Sequence, residues 1–112
     1  MSMQMKEYVT RTVVVALKDE VVAFNVPELR ERFYELLEEG VRQFVVDLSD
    51  VTFMDSAGMG LLVSVLKRAR QEGGDVKLVL PRAEGARRIF ALTKFDRVFD
   101  VAETAETAVR LF

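Results

Sequence analysis

The run Phe44-Val45-Val46 limits what this chain can become more than any other stretch. Extended, it is apolar on both faces, and a strand with two buried faces needs cover on each side. A short polar loop follows, and Asp55-Ser56-Ala57-Gly58 then opens a long amphipathic segment. The order is strand, turn, helix start. Asp55 and Ser56 both have side chains that accept hydrogen bonds from the first free amides of a helix. One serine hydroxyl is therefore expected on a loop, near the surface, at the positive end of a helix.

The absence of histidine narrows what that hydroxyl can do. It removes the usual general base, so no serine-histidine-aspartate triad can form, and it removes the commonest zinc ligand. The chain also has no cysteine, which excludes disulfides, thiolate catalysis and cysteine metal sites. No catalytic residue, metal or cofactor is expected, and Ser56 is not expected to attack a substrate. The formal net charge of −2 lacks the basic excess that direct nucleic-acid binding needs. No apolar run approaches a membrane span, the N-terminus lacks a signal-peptide core, and a cytoplasmic location is the expectation. With half of its 112 residues hydrophobic, the chain has the composition and length of one globular domain.

Residues 3–9 and 12–17 read as an antiparallel hairpin, and Lys18-Asp19-Glu20 as a polar break. Val21 to Phe24 leads into Asn25-Val26-Pro27, a cap followed by a first-turn proline. A helix of about 27–39 turns Leu29, Phe33, Leu36 and Leu37 inward and ends at Gly40. After the organising strand, a helix of about 57–72 buries Met59, Leu62, Val63, Val65, Leu66 and Ala69, and Gly73-Gly74 ends it. Val76 to Leu80 is a strand stopped by Pro81. A helix of about 83–93 follows, with Ile89, Phe90 and Leu92 inward, then a strand at Arg97–Val101. Thr104 to Phe112 forms a terminal helix with Ala105, Ala108, Val109 and Phe112 as its apolar residues. Alternating strands and helices imply right-handed crossovers and parallel neighbours. The expectation is an α/β fold in one domain, with a mixed sheet of about five strands and about four helices.

On a helical wheel from Ser56, residues Gly60, Ser64 and Lys67 lie away from the core arc. Gly60 and Ser64 are small, which leaves a shallow lane that another backbone can approach. Leu61 falls on the edge of that lane as an exposed apolar contact. Phe53 adds another, and Met54 is either a further contact or buried. Plainer readings compete. Ser56 and Asp55 are also what an N-cap requires. Gly58 and Gly60 lack a P-loop lysine, so close packing or partner approach explains them better than phosphate binding. Met-Asp-Ser-Ala-Gly lacks the leading glycine of a nucleophile elbow. Arg82, Arg87 and Arg88 read as solvent-facing.

The run from Asp47 to Gly60 resembles the signature loop of the STAS-domain anti-sigma-factor antagonists, roughly D-L-x-x-V-x-[FY]-M-D-S-[ST]-G-L-G. The resemblance covers nearly the whole chain, so residues 1–112 are expected to form one STAS domain. Pro27-Glu28-Leu29-Arg30 looks like that family's first helix start, and Arg88-Ile89-Phe90 with Thr93 looks like its late R-L-F-x-x-T segment. The resemblance implies that Ser56 is phosphorylated by a serine-kinase anti-sigma factor. It implies that the unphosphorylated form binds this partner and frees its sigma factor, and that a separate phosphatase restores binding. The partner-facing residues would then be Phe53, Asp55, Ser56, Gly58, Gly60, Leu61, Ser64 and Lys67. Three positions depart from the pattern. Ala57 replaces a second hydroxyl, Asp19-Glu20-Val21-Val22 stands for G-E-[IL]-D, and Lys94 replaces the glycine of the late T-G-L.

Two other functions compete with the antagonist reading. One is a STAS subunit serving another client, such as a lipid-transport complex or a different regulatory output. The other is a small-ligand or nucleotide-binding domain built on the loop before helix 57–72.

Overall fold

The central strand β2, Gln43–Met54, lies between β1 (Thr12–Val21) and β3 (Asp75–Val79), and β4 (Asp100–Ala102) completes the order β1-β2-β3-β4. Every neighbouring pair is parallel. These elements belong to a computed structural model that describes residues 2–6 and 10–112. Phe44, Val45 and Val46 are all fully buried, as a strand covered on both faces requires. The α/β architecture and its four helices match the sequence reading. Its sheet of about five strands is represented by four among the described residues. The first arm of the expected hairpin, 3–9, lies in part outside them, residues 2–6 carry no strand, and among the described residues every strand pair is parallel, so the sheet is not mixed.

The helices are α1 (Val26–Glu38), α2 (Ser56–Gln71), α3 (Glu84–Thr93) and α4 (Ala105–Arg110). Strands taken in sequence order with right-handed crossovers put α1, α2 and α3 on one face. The main core agrees. Phe33 and Leu37 of α1, Leu62, Val65 and Ala69 of α2, and Phe90 of α3 pack with Phe44, Val46, Leu48, Val76 and Leu78. Alternation sends Val45 to the opposite face, where it joins Val79, Ala102 and Ala108 under α4. Lys77 also faces that side and is buried despite its charge. Its ammonium donates to Asp100 at 2.8 Å and lies 4.7 Å from the centre of the Phe112 ring. The same ammonium holds the Asp100 carboxyl below the usual carboxylate range.

β2 outruns its neighbour. Its pairing with β3 ends at Asp47↔Val79, whereas its pairing with β1 continues to Val21↔Met54. The last residues of β2 therefore form a two-stranded ribbon with β1 beyond the rest of the sheet. Lys18 to Glu20, expected as a break, belong to this ribbon. The break appears instead as register shifts between Ala16 and Lys18 and between Asp19 and Glu20. Asp19 sits there at φ 60°, a left-handed conformation that aspartate tolerates better than most residues.

Two other expectations need correction. Residues Phe95–Arg97 form a 3₁₀ turn rather than the start of a strand, so β4 begins only at Asp100. Phe95 and Phe99 stack across this turn with ring centres 6.0 Å apart, a helical i, i+4 contact that outweighs local β-propensity. Leu92 is 74% exposed, because it lies two residues and about 200° around the helix from buried Phe90.

Lys94 ends α3 at φ 59°, ψ 27°. It occupies the place of the family glycine, as does Asp19, and both keep the left-handed backbone that glycine would adopt freely. Left-handed backbone costs a residue with a Cβ about 1–2 kcal/mol. Glycine's extra freedom in the unfolded chain offsets roughly 0.4–1 kcal/mol of that. Lys94→Gly should therefore raise the unfolding free energy by about 0.5–1 kcal/mol in urea titrations with an unchanged slope. A destabilised variant would show that the lysine side chain contributes more than its backbone costs.

Candidate functional site

Asp55 and Ser56 divide the tasks that the sequence offered to both. Asp55 is the N-cap of α2, with extended backbone and its Oδ1 accepting from Gly58 N–H at 3.0 Å. Ser56 is the first helical residue and is exposed. The helix start is thus capped without the serine, whose hydroxyl is left at the positive end of a 16-residue helix.

Asp55 does more than cap. Its Oδ2 accepts from Ala23 N–H at 2.9 Å, which ties the β1–α1 loop to the start of α2. Asp55 N–H donates to Val21 O at 3.4 Å, and the Thr52 hydroxyl donates to Asp19 O at 3.3 Å. Two amide donors favour the ionised carboxylate, Ala23 most and Gly58 next, so Asp55 titrates below the usual carboxylate range. Asn25, expected as a cap, does occupy the N-cap position of α1. Its side chain turns back instead, accepting from Val22 N–H and donating to Glu20 O.

The lane below Ser56 is present in part. Gly60 and Lys67 are exposed, and a Cβ added at Gly60 would meet nothing within 4 Å. Ser64 is half-buried, and its hydroxyl donates to Leu61 O at 2.9 Å. Phe53 is 49% exposed at the end of β2, while Met54 is fully buried.

Two expected contact residues turn inward. Leu61 is fully buried in the main core, because α2 is covered over a wider arc than the sequence suggested, with Gly58, Leu61, Leu62 and Val65 all enclosed. Gly58 packs against β1, and a Cβ there would clash with the Val21 carbonyl oxygen. Its role is to let the helix start approach the strand end. Phe24 was missed. It stands in the β1–α1 loop at 95% exposure, and only its place beside the Asp55-bonded residue Ala23 marks it.

A cavity of about 480 Å³ lies elsewhere, lined among others by Asp47, Ser49, Arg82, Arg87 and Thr104. No residue of the Ser56 lane lines it. Among the described residues, no helix is long and apolar enough to cross a membrane.

A four-stranded parallel sheet with three helices on one face thus leads, past a two-stranded ribbon, to an exposed serine at the start of α2. The STAS domain model matches residues 3–108, and the chain belongs to that family. It is 31% identical over 96 residues to the anti-sigma-B factor antagonist of Bacillus subtilis (strain 168), covering 86% of each chain. A crystal structure of a Thermotoga maritima protein is 30% identical, with a TM-score of 0.82 over 93% of this chain and 89% of that one. An anti-sigma factor antagonist from Mycobacterium paratuberculosis is 25% identical, with a TM-score of 0.79 over 94% and 88%.

Two predictions follow from this geometry. Gly58→Ala overpacks the contact with Val21 and should cost about 1–3 kcal/mol, or several degrees in Tm, while Gly60→Ala, in open space within α2, should stabilise by about 0.5–1 kcal/mol. Equal midpoints for the two variants in thermal melts would remove the packing role of Gly58. The lowered Asp55 pKa stabilises the folded state above the unfolded carboxylate value of about 4, and this contribution is lost as pH falls from there through the lower folded value. Asparagine keeps an acceptor but has no charge to lose. Asp55→Asn should therefore show a shallower loss of stability below about pH 4 than wild type in acid denaturation curves.

Proposed function

We propose that this chain is an anti-sigma factor antagonist that works by reversible binding and has no catalysis of its own. Its partner is a serine-kinase anti-sigma factor, which the unphosphorylated form engages through the surface around Ser56. Phosphorylation of Ser56 ends the binding, and a phosphatase restores it. The observation that carries this reading is the exposed Ser56 hydroxyl, relieved of capping by Asp55 within a loop that matches the family signature. The partner-facing set is Phe53, Asp55, Ser56, Gly60, Ser64 and Lys67, without the buried Gly58 and Leu61. The whole chain acts as one such domain, in the cytoplasm where its partners work.

The switch follows from charge. A phosphoserine brings about −1.5 to −2 charges at neutral pH. The helix dipole and the free amides of the first turn tolerate an anion there, whereas adjacent Asp55 repels it, so the domain itself changes stability little. The partner bears the cost. A group that packed flush becomes a dianion that must be desolvated without a prepared counter-charge. Unmatched charges at interfaces cost about 2–5 kcal/mol, on the order of 30-fold to several-thousand-fold in affinity.

Incubation with the kinase and ATP should add one phosphate, on Ser56, because Ala57 offers no second acceptor. Calorimetry should then show Ser56→Ala binding like wild type, Ser56→Asp weaker, and the phosphorylated form weakest, with unfolding midpoints little changed. Phosphate that persists on Ser56→Ala, or full affinity in the phosphorylated form, would refute the switch.

A further inference from the structure

Phe24 is the most exposed large apolar side chain among the described residues, at 95%. On a loose loop this would mean little, but this loop is fixed. Asn25 accepts from Val22 N–H at 2.8 Å and donates from Nδ2 to Glu20 O at 2.7 Å. Asn25 N–H and Val26 N–H both reach Val22 O at 3.0 Å. Ala23 N–H, immediately before Phe24, is held by Asp55 Oδ2 at 2.9 Å. The backbone on both sides of Phe24 is thus hydrogen-bonded, and its ring still contributes nothing to either core.

The Asp55 bond brings this loop to the residue preceding Ser56. Phe53, which pairs with Glu20 across the ribbon, brings a second half-exposed ring to the same tip. Two exposed aromatics from two segments therefore adjoin the Asp55–Ala23 contact, Phe24 directly after Ala23 and Phe53 two residues before Asp55. Apolar side chains gathered on a fixed surface mark a place that another molecule covers, and aromatics in such places carry much of the binding energy. Fixing the loop beforehand also removes the ordering cost that binding would otherwise incur.

We infer that Phe24 is the apolar anchor of the surface around Ser56, and that Asp55 is a positioning residue that holds it there. The occupant is the anti-sigma factor, which must carry an apolar recess for this ring beside its contact with Ser56. This rests on the function proposed above, and continuity with the Ser56 lane is what assigns the partner.

The test is calorimetric affinity for the purified anti-sigma factor encoded in the same genome, with sedimentation of the chain alone. Phe24→Ala should weaken binding by about tenfold to a hundredfold. Phe24→Leu should retain most of the affinity, and both variants should unfold at the wild-type midpoint because the ring buries almost nothing. Asp55→Asn should speed amide exchange at residues 22–25 and weaken binding with Phe24 intact. The Phe24→Ala, Asp55→Asn double variant should then lose little more than Phe24→Ala alone; fully additive losses would overturn the positioning role. If Gly60→Arg abolishes binding while Phe24→Ala binds within about twofold of wild type, the anchor is wrong and the Ser56 surface stands. If Phe24→Ala weakens binding while Gly60→Arg and phosphorylated Ser56 both bind fully, the Ser56 reading is wrong and the anchor stands. A wild-type chain that does not bind the factor overturns both. A dimer lost in Phe24→Ala would assign the ring to a second copy of this chain and overturn the partner.

Discussion

Burial of β2 on both faces is the constraint on which the rest of the domain depends. Phe44, Val46 and Leu48 need cover on one side, and Val45 needs it on the other. Parallel neighbours supply the ladder, and the crossovers they require supply the cover. Because the strands run in sequence order, all three crossover helices fall on one face, and among the described residues α4, six residues long, is the helix left for the second. The faces are correspondingly unequal. The second is completed by a buried lysine paired with Asp100 and lying against Phe112, rather than by more apolar packing.

The overhang of β2 gives the domain its outlet. Past Asp47 the strand has lost β3 and is paired only with β1, so its end projects as a ribbon. Such a ribbon needs tethers, and they converge on its tip. Thr52 reaches Asp19, Asp55 bonds Ala23 and Gly58, and Gly58 lets α2 start hard against the Val21 carbonyl. A single carboxylate therefore caps the helix, fixes the adjoining loop and leaves the serine hydroxyl free. Under the proposed switch, a phosphate added at this tethered tip changes what the partner meets more than it changes the domain.

The departures from the family pattern behave differently from one another. Asp19 and Lys94 replace glycines yet keep glycine-like backbone, so the fold absorbs them locally. Ala57 removes a hydroxyl and leaves a single acceptor at the helix start. Val22 puts an apolar residue where the pattern has aspartate, in the same loop that exposes Phe24. The surface at this tip is thus more apolar than the pattern alone implies.

Periodicity and cap chemistry determined a good deal by themselves. The central strand, the four helices, Asp55 as a cap and Ser56 at the start of α2 were legible because each depends on residues close in sequence. The width of the buried arc on α2 was not, since the enclosure of Leu61 and Gly58 depends on β1 and on the rest of the core, distant in the chain. Nor was the division of labour between Asp55 and Ser56. Either side chain satisfies a helix N-terminus locally, and only the arrival of Ala23 N–H, 32 residues earlier, occupies the second aspartate oxygen. Phe24 was hidden for the converse reason. An aromatic at the end of the apolar run Val21-Val22-Ala23 reads as core, and only a loop bound on both sides by hydrogen bonds keeps it in water.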